Sequence, residues 1–157
     1  MIKLIIFDLD GVLVDAKEIH YQALNKALSN IDKKYVINRE EHISTYDGNT
    51  SVTKLNLLSK EKGLPYELHD KIWEDKQNIT LQMIGDLDVD ERLVEVLKKL
   101  NDDGYILCCA TNSIRKSAKL QLIRRGFLEH LDFVYSNQDV VNPKPASEIY
   151  LKCIITA

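Results

Sequence analysis

The apolar positions of this chain follow two different periods. Ile2, Leu4, Ile5, Ile6 and Phe7 form a short, nearly unbroken apolar run rich in β-branched residues. That pattern suits a strand buried on both faces, as in a parallel sheet covered by helices. After Asp15 the period becomes helical, with Ile19, Ala23, Leu24, Ala27 and Leu28 on one side. From about Ser29 to Ile84 the chain is mixed and helical, without a strong strand pattern. Asn49 or Ser51 is expected to cap a helix carrying Val52, Leu55, Leu58 and Ser59, which Lys62-Gly63-Leu64-Pro65 would stop. A further helix is expected from about Tyr66 through Ile72, Trp73, Ile79 and Met83. Asp90 reads as the N-cap of a helix with Leu93, Val96, Leu97 and Leu100, ending near Gly104. Tyr105 to Ala110 is the second core strand, Ile114 to Arg125 a helix ended by Gly126, and Phe133 to Ser136 a short third strand. A last helix carries Ile149, Tyr150 and Cys153. The pattern predicts an α/β fold with an all-helical insertion after its first strand.

Composition narrows the classes. A chain of 157 residues can bury roughly 68–70% of its unfolded surface, enough for a real core. A net charge of −3 without clustered Lys and Arg gives no reason to expect nucleic acid as the main partner. No apolar run approaches the roughly 20 residues of a membrane span, and the N-terminus enters a strand without a secretory signal. Cys108, Cys109 and Cys153 have no metal-ligand spacing, and an odd count argues against a disulfide framework. A reduced, cytoplasmic location is the expectation.

Candidate chemistry sits where the strands end. Asp8 and Asp10 follow the first strand, just before Gly11, and ligands in open α/β sheets bind beyond the carboxyl ends of strands. A clustered pair of carboxylates repels itself unless a cation or proton lies between, so folding alone explains the pair poorly. An Asp- and Gly-rich turn after a core strand is the plainer alternative. Thr111 and Asn112 follow the second strand, and by themselves they could merely cap the next helix. Asp86-Leu87-Asp88-Val89-Asp90-Glu91 superficially suggests a calcium loop, but its sixth position is Glu91 instead of Gly and its twelfth is Leu97 instead of Glu. Two prolines flank Lys144 and fix its backbone, although a lysine in such a turn is normally exposed and idle.

Asp8-Leu9-Asp10-Gly11-Val12-Leu13-Val14-Asp15 after an apolar strand resembles the first signature of the haloacid dehalogenase superfamily of phosphotransferases. Thr111-Asn112-Ser113 resembles the second signature, and Lys144 within Asn142-Pro143-Lys144-Pro145 the third. The resemblance implies a Rossmann-like parallel-sheet core, residues 1–16 plus 86–157, with a helical cap over residues 17–85. It also implies that Asp8 is the nucleophile and Asp10 the general acid/base. The Asp8 carboxylate and the Asp10 carbonyl would hold Mg2+. The Thr111 hydroxyl and the Asn112 backbone N–H would hold the transferring phosphoryl group, and Lys144 would offset the negative charge there. The chemistry asks for such a set: a carboxylate attacks phosphorus once charge repulsion is neutralised, and a second carboxyl serves the leaving group and then water. In similar mutases a His at the hinge position contacts the acid/base, and His20 matches it. Tyr46-Asp47-Gly48-Asn49-Thr50 resembles the substrate loop of such caps, with Gly48 allowing close approach.

The resemblance also has departures. Relatives that bind a distal phosphate often place an Arg three residues after the loop glycine, where this chain has Ser51. Lys54 and Lys76 are the remaining cations in suitable positions. The fourth signature, an acidic pair that completes the Mg2+ site, is expected farther along than Ala157, so the chain reads as truncated within its core. The implied function is Mg2+-dependent hydrolysis of a small phosphorylated metabolite through an aspartyl-phosphate. The alternatives are a catalytically impaired fragment with a binding or assembly role, or a phosphosugar mutase, which Ser51 disfavours. A response-regulator receiver is set aside, because it lacks a helical insertion after its first strand. An exposed edge on the first strand is expected to favour self-association.

Overall fold

The structure, a computed structural model, describes residues 3–47 and 49–157. Ile2 of the expected first strand and Gly48 of the expected substrate loop lie outside the described residues. In chain order the main elements are β1 (Leu4–Phe7), α1 (Lys17–Ser29), α2 (Arg39–Glu41), α3 (Ser51–Lys62), α4 (His69–Gly85), α5 (Glu91–Asp102), β2 (Ile106–Ala110), α6 (Arg115–Arg124), β3 (Phe133–Tyr135) and α7 (Glu148–Thr156). The chain divides into a sheet unit, Met1–Lys17 with Ile84–Ala157, and a helical unit, Glu18–Met83. Among the described residues no helix is long and apolar enough to cross a membrane.

The sheet is parallel, in the order β1-β2-β3, with Leu4 opposite Ile106 and Cys108 opposite Phe133. Side chains alternate across a strand, and the core divides accordingly. Ile5, Phe7, Leu107, Cys109 and Val134 face one layer with Leu97, Leu122 and Phe127. Leu4, Ile6, Cys108, Ala110, Phe133 and Tyr135 face the other with Ile149 and Cys153 of α7. Helices on both faces explain why the strands read as continuous apolar runs. β1 is half-buried at the edge of the described sheet, as expected for its open side, whereas central β2 is buried over four of its five residues.

Local chemistry sets the helix ends. Asp90 caps α5 by accepting the Leu93 N–H at 3.1 Å, which disposes of the calcium-loop pattern. α3 is capped by Thr50, whose hydroxyl oxygen accepts the Thr53 N–H at 3.2 Å, and not by Asn49 or Ser51. Gly63 closes α3 in the left-handed region. Gly126 after α6 has φ of +78°, and a Cβ there would stand 3.0 Å from Val89 Cγ1 and 3.2 Å from Val94 Cγ2. Positive φ and a filled niche act together. Gly126→Ala is expected to destabilise the chain by roughly 1–3 kcal/mol, read as a lower midpoint in urea. An unchanged midpoint would mean the α6–β3 connection relaxes freely.

The helical unit buries Leu24, Leu28, Tyr46, Leu55, Leu58 and Ile72. Asn25 joins α1 to the next segment, its amide donating to Ile37 O and its oxygen accepting the Ile37 N–H, both at 2.8 Å. α2 runs into a π-helical turn, His42–Tyr46, closed by the Asp47 N–H on His42 O at 2.7 Å. The expected helix is present as α4, with Ile72 buried, Trp73 40% exposed, and Lys76 at 7% and Thr80 at 1% also buried. Apolar character alone does not say which stripe of a helix meets its neighbours.

Candidate active site

β1 delivers Asp8 at its carboxyl end, and the chain then turns sharply. The Leu13 and Val14 N–H groups donate to Leu9 O at 3.0 and 2.9 Å, and the Gly11 N–H donates to Val14 O at 2.7 Å. Gly11 has φ of +84°, a conformation that favours glycine. Leu9, Leu13 and Val14 are buried beneath the turn. The turn anchored by this apolar floor is what holds Asp8 and Asp10. The plainer reading of the motif, an Asp-Gly turn, is therefore true and is no rival to a functional one.

Asp8 Oδ1 accepts the Leu9 N–H at 2.7 Å and lies 2.8 Å from Lys144 Nζ. The lysine side chain is only 14% exposed, against 46% for the aspartate. Lys144 is thus a held cation and not an idle surface group. Its backbone is gripped by Asn112, whose amide donates to Lys144 O at 2.9 Å and whose oxygen accepts the Lys144 N–H at 3.0 Å. The ammonium also lies 5.6 Å from the Tyr150 ring centroid.

β2 is followed by buried Thr111, whose N–H donates to Tyr135 O at 3.0 Å. Its hydroxyl oxygen accepts the Ser113 N–H at 3.0 Å. With that lone pair engaged, the Thr111 O–H proton remains available as a donor. Neither Thr111 nor Asn112 caps the following helix, because α6 starts at Arg115 after Ile114. Ser113 Oγ donates to Asp10 Oδ2 at 2.6 Å. The charges converge on the end of β2, where the buried Cys109 thiol is pushed up to about 12. Burial is the main cause, with the Asp8 charge raising it and the Lys144 charge lowering it.

The sheet unit therefore brings together Asp8, Asp10, Thr111, Asn112 and Lys144. In the helical unit His20 Nδ1 lies 3.4 Å from Lys76 Nζ, while Gly48 lies outside the described residues. Ser51 opens α3 and supplies no cation. Lys54, one turn on, is held below lysine's usual range by burial, with the Asp47 charge opposing that shift. Sequence reasoning missed Ser113 and the grip of the Asn112 side chain on Lys144. Both link turns far apart in the chain, and no periodic signal marks such contacts.

Hard oxygen donors at Asp8 and Asp10 suit a hard divalent cation. Among the described residues no group of three or more His, Cys, Asp or Glu could enclose one. Such a donor set fits an ion like Mg2+ that keeps waters and takes oxygens from a phosphate.

Several known proteins are similar to this chain in sequence or in fold. A phosphorylated carbohydrates phosphatase of Thermotoga maritima is 22% identical over 94% of this chain and 67% of its own length. Protein CbbY of Cereibacter sphaeroides is 24% identical over 96% of this chain and 68% of its own. Among solved structures, CbbY from Rhodobacter sphaeroides in complex with phosphate superposes with a TM-score of 0.78 at 19% identity, covering 99% of this chain and 72% of that one. At that identity the likeness speaks for the fold. The family itself is shown by a model of haloacid dehalogenase-like hydrolases that matches residues 5–156. Nearly the whole chain is spanned by that match, and it belongs to the haloacid dehalogenase-like hydrolases.

Proposed function

We propose that this hydrolase is a phosphatase, cleaving the phosphoric monoester of a small phosphorylated metabolite through an aspartyl-phosphate on Asp8. The observation that carries the reading is the 2.8 Å contact of Lys144 Nζ with Asp8 Oδ1, beside Asp10 and Thr111 at the sheet's carboxyl end. The names of the Thermotoga relative and of the phosphate-bound CbbY structure support the same substrate class.

In the first step an Asp8 oxygen forms a bond to phosphorus and the ester P–O bond breaks. Asp10, protonated, gives its proton to the departing alkoxide. In the second step water attacks the same phosphorus and Asp10 takes its proton. The acyl–phosphate bond then breaks, returning the Asp8 carboxylate and inorganic phosphate. Thr111 O–H and the Asn112 N–H donate to the phosphoryl oxygens, and Lys144 stabilises charge that gathers on them. The Asp8 carboxylate and the Asp10 carbonyl would hold Mg2+, which supplies charge neutralisation at the phosphoryl oxygens. Residues 17–85 act as the cap in this reading, with Gly48, His20 and Lys76 contacting the substrate. A mutase is disfavoured by Ser51.

Phosphate release from p-nitrophenyl phosphate and from a panel of sugar phosphates, with Mg2+ and with EDTA, tests this. Turnover that requires the metal is expected. Failure to release phosphate from any ester at millimolar substrate would overturn the reading.

The open edge of β1 adds an expectation about assembly. Among the described residues β1 pairs with β2 alone. The Ile106 N–H donates to Lys3 O, so by alternation Leu4 and Ile6 direct their backbone groups to the open edge. An apolar edge is a template for another strand, and Leu151, Ile154 and Ile155 of α7 are exposed as well. We propose that the 157-residue chain self-associates through this edge. Sedimentation velocity should show a dimer or larger species, with the Leu4 and Ile6 amides protected from exchange. A stable monomer whose Leu4 and Ile6 amides exchange freely would sink the idea.

A further inference from the structure

We propose that Ser113 is a positioning residue for Asp10, fixing the carboxyl that acts as general acid/base; the proposal rests on the phosphatase reading above. Its hydroxyl donates to Asp10 Oδ2 at 2.6 Å, across 103 residues of chain. An O–H on a carboxylate at that distance is a short, charge-assisted hydrogen bond. It ties down one oxygen and so fixes the rotation of the carboxyl about its last torsion. Ser113 is itself held, because its N–H donates to Thr111 Oγ1 at 3.0 Å. One residue thus sets both the acid/base and the hydroxyl that would hold the phosphoryl group. The same turn carries Asn112, which grips Lys144. Asp8 and Lys144 are charged groups at this same end of the sheet.

Proton donation matters most when the leaving group is a poor one. An alkyl phosphate expels a strongly basic alkoxide and needs the acid, whereas p-nitrophenyl phosphate expels a stabilised phenolate and hardly does. Ser113→Ala is expected to lower kcat/KM for an alkyl phosphate roughly tenfold or more, the usual scale of losing a hydrogen bond to a charged group. For p-nitrophenyl phosphate the fall should stay within about threefold, since the acid contributes little there. Ser113→Thr keeps the hydroxyl and should restore most of the alkyl-phosphate rate. Ser113→Cys, close in size but a weak donor, should behave like the alanine variant and serves if alanine fails to fold.

Asp10→Asn should lower kcat for both esters, because both need its base in the second step. Its kcat/KM, which reports the first transfer, should fall more for the alkyl ester than for p-nitrophenyl phosphate. If it does and the Ser113 variants slow both esters equally, or threonine rescues nothing, the positioning role is overturned and the phosphatase reading stands. If Asp10→Asn leaves the alkyl ester unaffected, the acid/base assignment itself has failed. No turnover of either ester by the parent chain overturns both.

Discussion

Replacing Asp8 with Asn is expected to abolish phosphate release, by on the order of a thousandfold or more, while leaving the fold in place. Losing a nucleophile removes the covalent path altogether, so the residue should outweigh any neighbour. The substitution keeps the size of the side chain, and the Asn oxygen can still accept the Leu9 N–H that Asp8 accepts at 2.7 Å. It takes a partner from the mostly buried Lys144 ammonium but also relieves repulsion with Asp10. With the Asp8 side chain 46% exposed, solvent screens much of that loss, and the net change should stay below about 2 kcal/mol. Steady-state turnover beside a urea melt would separate the two effects. Beryllofluoride should form its adduct on Asp8, visible by fluorine NMR and absent in the variant. Turnover by the variant at the parent's rate would end the assignment.

Lys144→Ala is expected to lower kcat/KM by about a hundredfold to a thousandfold, the scale on which a preorganised charge stabilises a transition state. The position demands its own geometry. Asn112 grips the Lys144 backbone from both sides, so the ammonium reaches Asp8 Oδ1 at 2.8 Å without freedom to wander. Lys144→Arg should recover little, because a planar fork cannot replace a compact point charge in that space. Asn112→Ala should fall between parent and Lys144→Ala, since the cation remains but its backbone is released. Kinetics on p-nitrophenyl phosphate with matched thermal melts would test the order. A loss of under threefold for Lys144→Ala would remove the lysine from the chemistry.

The legible parts of this chain share a physical cause. β1 and β2 could be read because a strand covered on both faces must be apolar at every position, and the core of Ile5, Leu107 and Cys109 on one face and Leu4, Cys108 and Ala110 on the other is that rule realised. Asp90 could be read as a cap because capping is local, involving a side chain and an N–H three residues on. Asp8, Asp10, Thr111 and Lys144 could be singled out because chemistry-bearing residues stand just beyond apolar strands. The failures were of another kind. Thr50, Asn49 and Ser51 are all competent caps by residue type, and the path of the loop chose Thr50.

By itself, then, the sequence determined a parallel α/β core with a helical insertion and candidate residues at the strand ends, because periodicity and motif spacing are properties of neighbouring positions. Only the tertiary structure decided that Asn112 grips Lys144 and that Ser113 reaches Asp10 across 103 residues. Closing the sheet sets β1 beside β2 and so brings the turns at their carboxyl ends within hydrogen-bonding distance. A contact of 2.6 Å depends on where two backbones come to rest, and no local pattern in the chain encodes that.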